Sequence, residues 1–379
     1  MSTTTQGALL WEFGTAEKPS AWSVEELVWS PPQAGEVLVK LAAAGLCHSD
    51  YHYATGDSTV GTLPLLGGHE GAGVVVEVGA QVEGLSVGDH VVTTFMPACG
   101  KCNWCVIGRQ NLCDRGAGLQ HGSLLDGTYR VHTAGRPVGQ MTYLGTFNPW
   151  LVCPVDSVVK IDPGVPLDLV AAVGCGVPTG WGSAVNAARV QIGDTVVVIG
   201  VGGVGMNAVQ GASHAGAEHI VAVDPVAWKR QAAVDTFGAT HQAESIEEAA
   251  GLVADLTRGV MAASAMMHLG ISDGSQVDAA LGLVSKGGAL VISNMSSIDQ
   301  TDVRLSLRGL ALMEKEVRGA IYGRCNPRVD IPRLVRLYQD GRLKLEELVT
   351  RRYRLSEINE AYSDMIAGKN IRGIITYDD

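Results

Sequence analysis

The sequence predicts an α/β protein of two domains, a β-rich domain and a doubly wound parallel-sheet domain. Three observations carry that expectation. Residues 35–95 hold short apolar strands broken by glycine turns, Gly35 to Leu41, Gly71 to Val78 and Gly88 to Phe95, the texture of a small barrel or sandwich. After Cys175 the pattern changes to continuous apolar runs, Thr195 to Ile199, His219 to Asp224 and Ala289 to Ser293, alternating with helical stretches. That alternation indicates a parallel sheet with helices on both faces. Finally, 379 residues exceed what one compact core accommodates.

Composition agrees. The chain is 46% hydrophobic and 18% charged, with 48 glycines, as expected of buried sheets rather than disorder or coiled coil. A formal charge of −11, spread without blocks, argues against nucleic acid and anionic membrane as partners. The opening Met1 to Gln6 lacks the basic start and apolar stretch of a secretory signal, and the longest apolar run, Val196 to Val209, is too short to span a bilayer. The expected setting is therefore cytoplasmic and reducing. The tail returns to mixed α and β, ending in the strand-like Gly373 to Tyr377.

Between the β-rich stretch and the parallel sheet, Cys99, Cys102, Cys105 and Cys113 form C-x2-C-x2-C-x7-C. Four thiolates on one tight loop can enclose a tetrahedral Zn²⁺ with no open position, which describes a structural site. Such a lobe, about residues 97–115, has no room for a core, so the metal would supply much of its folding energy. Disulfides are the competing reading, disfavoured in a long chain without a secretory signal. Cys153 and Cys325 have no evident partner in sequence and read as buried spectators.

Gly200-Val-Gly202-Gly203-Val204-Gly205 is G-x-G-x-x-G. It follows the strand run Thr195 to Ile199 and opens a helical pattern from Val204 to Ala215, and Asp224 ends the next strand nineteen positions later. These are the contextual requirements of a dinucleotide fingerprint. Gly200 permits the tight turn, Gly202 admits the pyrophosphate close to backbone, and Gly205 lets the helix pack on the strand. The helix N-terminus offers its N–H groups to the phosphates. Asp224 would accept from the adenosine ribose and repel a 2′-phosphate, favouring NAD(H).

Three separated segments offer a second metal set: Gly45-Leu-Cys47-His48-Ser49-Asp50, Gly67-Gly-His69-Glu70 and Gly174-Cys175-Gly176. Two cysteines and a histidine with one open position are a known catalytic arrangement. Spacing alone leaves this open, because a lone histidine is more often an ordinary packed or surface residue.

Taken together, these segments, the cysteine lobe, Gly-Cys175-Gly-Val-Pro-Thr179-Gly and the glycine fingerprint resemble the zinc-dependent medium-chain alcohol dehydrogenases over nearly the whole chain. The resemblance implies a GroES-like catalytic domain, residues 1–177 and 322–379, interrupted by a Rossmann NAD-binding domain, residues 178–321. It implies a catalytic zinc on Cys47, His69 and Cys175, with Glu70 behind it as a transient ligand, and a second, structural zinc on the quartet. Asp50 would fix the His69 tautomer, Ser49 would bond the substrate hydroxyl, and His52 would relay the proton to solvent. His48 and Arg372 would lie at the cofactor pyrophosphate, Thr179 at the nicotinamide and Lys229 at the adenosine ribose. Phe95 and Leu144 match positions that line the alcohol pocket.

The implied chemistry is reversible hydride transfer between an alcohol or aldehyde and NAD(H), in a homo-oligomer, dimer or tetramer. A narrower resemblance runs through Gly-Trp181-Gly-Ser-Ala-Val-Asn186, Asn207-Ala-Val-Gln-Gly-Ala and Ala-Val-Asp224-Pro-Val. It points to the actinobacterial nicotinoprotein branch, which retains NAD(H) and is re-oxidised by an external acceptor such as N,N-dimethyl-4-nitrosoaniline (NDMA). Residues 260–275 and Ser293-Asn294 depart from the family, the latter replacing apolar or glycine residues near the nicotinamide. A thiol-dependent formaldehyde dehydrogenase and a non-catalytic nucleotide-binding scaffold are the competing readings.

Overall fold

The computed structural model describes residues 3–270, 274–297 and 300–377. Residues 271–273, inside the divergent segment 260–275, lie outside the described residues. Two compact units divide the chain, Met1–Cys175 with Asn326–Asp379, and Gly176–Cys325. The junctions fall at 175 rather than 177 and at 326 rather than 322. Gly176 opens a helix of the second unit, Gly176–Gly182, and Asn326 caps a helix of the first, Pro327–Gln339, by accepting from Arg328 N at 3.2 Å.

The first unit contains two sheets. In the larger, the order is Val158–Lys160, His90–Thr93, Glu70–Val78, Glu36–Gly45, Arg372–Thr376 and Val349–Tyr353, with Trp150–Pro154 also on Glu36–Gly45. The smaller is led by the antiparallel pair Thr3–Leu10 and Ser23–Trp29. Alternation of apolar and polar residues in these strands puts Leu9, Leu27, Trp29, Val37, Val39, Leu41, Val75 and Val91 into one core. A second cluster gathers Trp22, Leu46, Tyr53, Phe147 and Tyr362.

Register decides what this unit can do. Gly45 lies opposite Glu70 on one side and opposite Ile374 on the other. The chain therefore leaves one strand at Cys47 beside the points where His69-Glu70 and Arg372 enter the neighbouring strands. Close approach requires glycine here: a Cβ at Gly45 would stand 2.0 Å from Glu70 Oε2.

In the second unit all six strands are parallel, in the order His241–Ala243, His219–Val223, Thr195–Ile199, Ala262–Met267, Val284–Ile292, Glu316–Gly319. Apolar side chains from one sheet face and the helices packed on it form its core, with Val197, Val221, Ala265, Met267 and Leu290 at the centre. Strand order reverses at Thr195–Ile199, so the crevice at that strand's carboxyl end is the topological switch point where α/β sheets take ligands. The helix Gly205–Ala215 starts there and stops at Gly216, whose φ of 89° is the left-handed cap that glycine adopts without strain.

Candidate active site and metal centres

In the first unit, Cys47, His69, Glu70 and Cys175 are all buried, and their ligand atoms lie within 4.8 Å of one another. Cys175 reaches the other three because Gly174 passes tightly under them; a Cβ there would meet Thr93 O at 2.8 Å and Glu70 Cα at 3.4 Å. Asp50, fully buried, ties the cluster together. Its Oδ1 accepts from Gly68 N at 3.0 Å and from His69 Nδ1 at 3.1 Å, and its Oδ2 accepts from Cys47 N at 3.2 Å. With Nδ1 held as donor to Asp50, Nε2 is the nitrogen left to bind a metal in place of its proton, the arrangement that metal-ligating histidines use.

The electrostatics ask for a cation. A hydrogen bond from Cys175 is the main cause that draws the Cys47 thiol well below its ordinary range, while the Cys175 thiol moves up in return. Burial disfavours a charged His69, yet Asp50 and Cys47 hold it well above its usual value. Burial raises Glu70 to about 7, against the pull of Arg372. The Arg372 guanidinium donates to the Glu70 carboxylate. Two thiols, an imidazole and a carboxylate in so small a buried volume fit a divalent borderline-soft ion.

Ser49 Oγ is 3.6 Å from Cys47 Sγ. His52 is 1% exposed, and its Nδ1 is 3.3 Å from Asp57 Oδ2. Phe95 sets its ring edge to face with His69, centroids 5.8 Å apart. His48 is half-buried, its ring against Tyr51. Leu144 is fully buried among Leu9, Leu27 and Leu66 and serves as core in this unit.

The quartet also converges. Sγ atoms of Cys99 and Cys105, and of Cys102 and Cys113, stand 3.9 Å apart. A disulfide would need about 2.0 Å, and the edge of a tetrahedron with Zn–S bonds of about 2.3 Å is about 3.8 Å. All eight cysteines are free. A single turn, Asn103–Val106, carries the third cysteine. Gly100 and Gly108 bracket it with φ of 75° and 82°, the left-handed conformations that let so short a loop reverse.

In the second unit, Gly200 has φ of 85°, and its Cβ position is 2.8 Å from His268 O. A Cβ at Gly205 would lie 1.8 Å from Gly200 O, whereas nothing stands within 4 Å of the Cβ position of Gly202. The first and last glycines thus hold the turn and the second leaves an open cradle. Gly203 O accepts from Asn207 Nδ2 at 2.8 Å, and Val204 is the helix cap. Asp224 spans the turn, Oδ2 accepting from Val201 N at 3.0 Å and Oδ1 from Val226 N at 2.9 Å. Each oxygen keeps acceptor capacity for a ribose hydroxyl. Lys229 is buried, and that burial lowers its pKa against the opposing pull of Asp224. Thr179 is buried in the opening helix of this unit.

Sequence reasoning missed three pairings: Arg372 with Glu70, His52 with Asp57, and His268 with Ser293. For the first and third the partners are far apart in the chain and no spacing marks them. Asp57 lies five positions past His52 and was open to detection.

Residues 33–163 match the family model described as alcohol dehydrogenase GroES-like domain, and residues 203–340 the one described as zinc-binding dehydrogenase. Fold and site thus define a zinc-binding dehydrogenase built from a GroES-like and a Rossmann domain. The chain is 48% identical over 376 residues to alcohol dehydrogenase B of Mycobacterium tuberculosis, covering 99% of each. It is 49% identical over 363 residues to the NDMA-dependent alcohol dehydrogenase of Amycolatopsis methanolica, covering 96% of this chain and 97% of that one. Among solved structures, benzyl alcohol dehydrogenase of Acinetobacter calcoaceticus matches with a TM-score of 0.88 at 29% identity, over 99% of this chain and all of that one. The chain belongs to the zinc-dependent medium-chain alcohol dehydrogenase family. Among the described residues, no helix is long and apolar enough to cross a membrane.

Proposed function

We propose that the protein oxidises alcohols, and reduces aldehydes, with one zinc on Cys47, His69 and Cys175, a second on the cysteine quartet, and NAD(H) on the glycine turn. The observation that carries this is the buried convergence of Cys47, His69, Glu70 and Cys175, ligand atoms within 4.8 Å. When bound there, zinc supplies a Lewis acid that lowers the pKa of an alcohol, and NAD⁺ supplies the hydride acceptor. Asp50 fixes the His69 tautomer. Ser49 Oγ takes the alcohol proton as it gives up its own toward His52, whose Nδ1 is held by Asp57. Phe95 forms an apolar wall against His69. Glu70, neutralised by Arg372, is the reserve ligand, while His48, Thr179, Asp224 and Lys229 serve the dinucleotide.

The reading extends to the nicotinoprotein type, with NAD(H) kept through turnover and re-oxidised by an external acceptor. The identity to an enzyme named NDMA-dependent supports it. It carries a homo-oligomeric state and a cytoplasmic setting, which suits eight free thiols.

Metal analysis and denaturation of the purified protein test it together. Two zinc and one NAD(H) per chain are expected, with Cys47→Ser retaining one zinc and losing alcohol oxidation. One zinc in the wild type refutes the catalytic site. Nucleotide-free protein that turns over with added NAD⁺ refutes retention. Formaldehyde oxidation only in the presence of a low-molecular-weight thiol would establish the competing reading.

A further inference from the structure

His268 and Ser293 follow directly on the carboxyl ends of the neighbouring strands Ala262–Met267 and Val284–Ile292. Met267 lies opposite both Ile199 and Ile292 in the sheet. Backbone bonds hold the two residues there, His268 N to Ile199 O at 2.8 Å and Ser293 N to Met267 O at 3.5 Å. His268 O forms the wall of the Gly200 turn, 2.8 Å from its Cβ position. The side chains join: His268 Nδ1 and Ser293 Oγ are 2.7 Å apart. The other ring nitrogen, Nε2, is buried and has no hydrogen-bond partner among the described residues. Burial lowers the imidazole pKa to about 3, so the ring is neutral at working pH.

A buried neutral imidazole with one nitrogen engaged and one idle costs free energy, about 1–3 kcal/mol for the unmet group, unless a ligand completes it. The place decides which ligand. A doubly wound sheet binds the two nucleotides of a dinucleotide on either side of its switch point. Asp224, directly after the His219–Val223 strand, marks the adenosine side, and the Gly200–Gly205 turn marks the pyrophosphate. The strands on the opposite side, which His268 and Ser293 terminate, then face the nicotinamide nucleotide. A histidine without charge suits that half, because an imidazolium would repel the cationic ring of NAD⁺.

We propose that His268 Nε2 hydrogen-bonds the nicotinamide nucleotide, at its ribose or its carboxamide, with Ser293 as the positioning residue that orients the ring, and that this contact slows release of the cofactor. The assignment rests on the cofactor reading above. It gives Ser293, one of the departures from the family, a task that an apolar residue in its place could not perform.

The experiment displaces fluorescent NADH from the full-length protein with ADP, which ends at the pyrophosphate, and reads the half-displacing ratio of ADP to NADH. One hydrogen bond corresponds to about a three- to tenfold change. Ser293→Ala and His268→Leu are expected to lower the ratio by that factor, while Ser293→Thr and His268→Gln, which keep a hydroxyl and a polar nitrogen, stay within twofold of wild type. A variant that merely loosens the domain weakens both nucleotides and leaves the ratio unchanged, and an unchanged ratio overturns the proposal. Repeating the displacement of ADP-ribose by ADP assigns the contact: a matching loss puts it on the ribose, and no loss puts it on the carboxamide. Wild-type protein that binds neither NADH nor ADP overturns the cofactor reading itself, and the contact with it.

Discussion

Asp50→Asn changes one atom and leaves the shape of the side chain intact, so it isolates what the carboxylate does. Three N–H groups point at Asp50, from Gly68, His69 and Cys47. The amide oxygen of asparagine can take the two that meet at Oδ1. Its NH₂ then faces Cys47 N, where a donor meets a donor in a place with no solvent. That mismatch costs about 1–3 kcal/mol. The bond to His69 Nδ1 also loses its charge assistance, and outer partners of a ligating histidine are worth about 10–100-fold in metal affinity, or about 1.4–2.7 kcal/mol. Competition against a chromophoric chelator should therefore show one zinc equivalent bound about 10–100-fold more weakly in Asp50→Asn, with the quartet's equivalent unchanged. Wild-type affinity for both equivalents would refute the argument that Asp50 sets the ligand geometry.

Gly202→Ala should leave urea unfolding of the nucleotide-stripped protein within about 0.5 kcal/mol of stripped wild type, since its Cβ meets nothing, yet abolish retained NAD(H); a destabilised variant with intact nucleotide would reverse both halves of the expectation. Arg130 is buried and donates to Glu36 from Nε at 2.8 Å and from Nη2 at 2.7 Å, so Arg130→Met strands a buried carboxylate and should cost about 3–5 kcal/mol by urea titration. The Asp364 carboxyl is held below the ordinary range, first by Lys369 and then by Tyr353 and Arg351. The unfolded chain, at about 3.9, thus binds that proton more readily, and this contribution to stability is complete above about pH 5 and fades as pH falls through the folded value. Unfolding midpoints of wild type and Asp364→Asn should differ at pH 6 and converge toward pH 3; a constant gap would count against it.

How legible each feature was follows from how local its cause is. The quartet could be read from spacing because its four ligands lie within fifteen residues. The strand Thr195–Ile199 was visible as an apolar run because the sheet buries both its faces. Val284–Ile292 was seen only from Ala289 onward. Its first half carries Ser285, Lys286 and Gly287, the last at φ 71°, and the register against Ala262–Met267 shifts there. Cys47, His69 and Cys175 meet only through strand register and the Gly174 approach, which no local pattern encodes, so family resemblance supplied them. Arg372 was expected at the pyrophosphate, and its bond to Glu70, 302 positions away, had no sequence signal at all. Leu144 illustrates the converse, an apolar residue whose identity suits a pocket wall and a core alike.

The two donor sets also differ in when they come into being. The quartet needs only a hairpin's worth of chain, so its thiols can gather early, at small entropic expense for loop closure. The set around Asp50 waits until Cys47, His69 and Cys175, 128 positions apart at its extremes, have been brought together by the strand register and the Gly174 approach. A chain emerging from synthesis can therefore complete the donor set of its lobe well before the set that carries its chemistry.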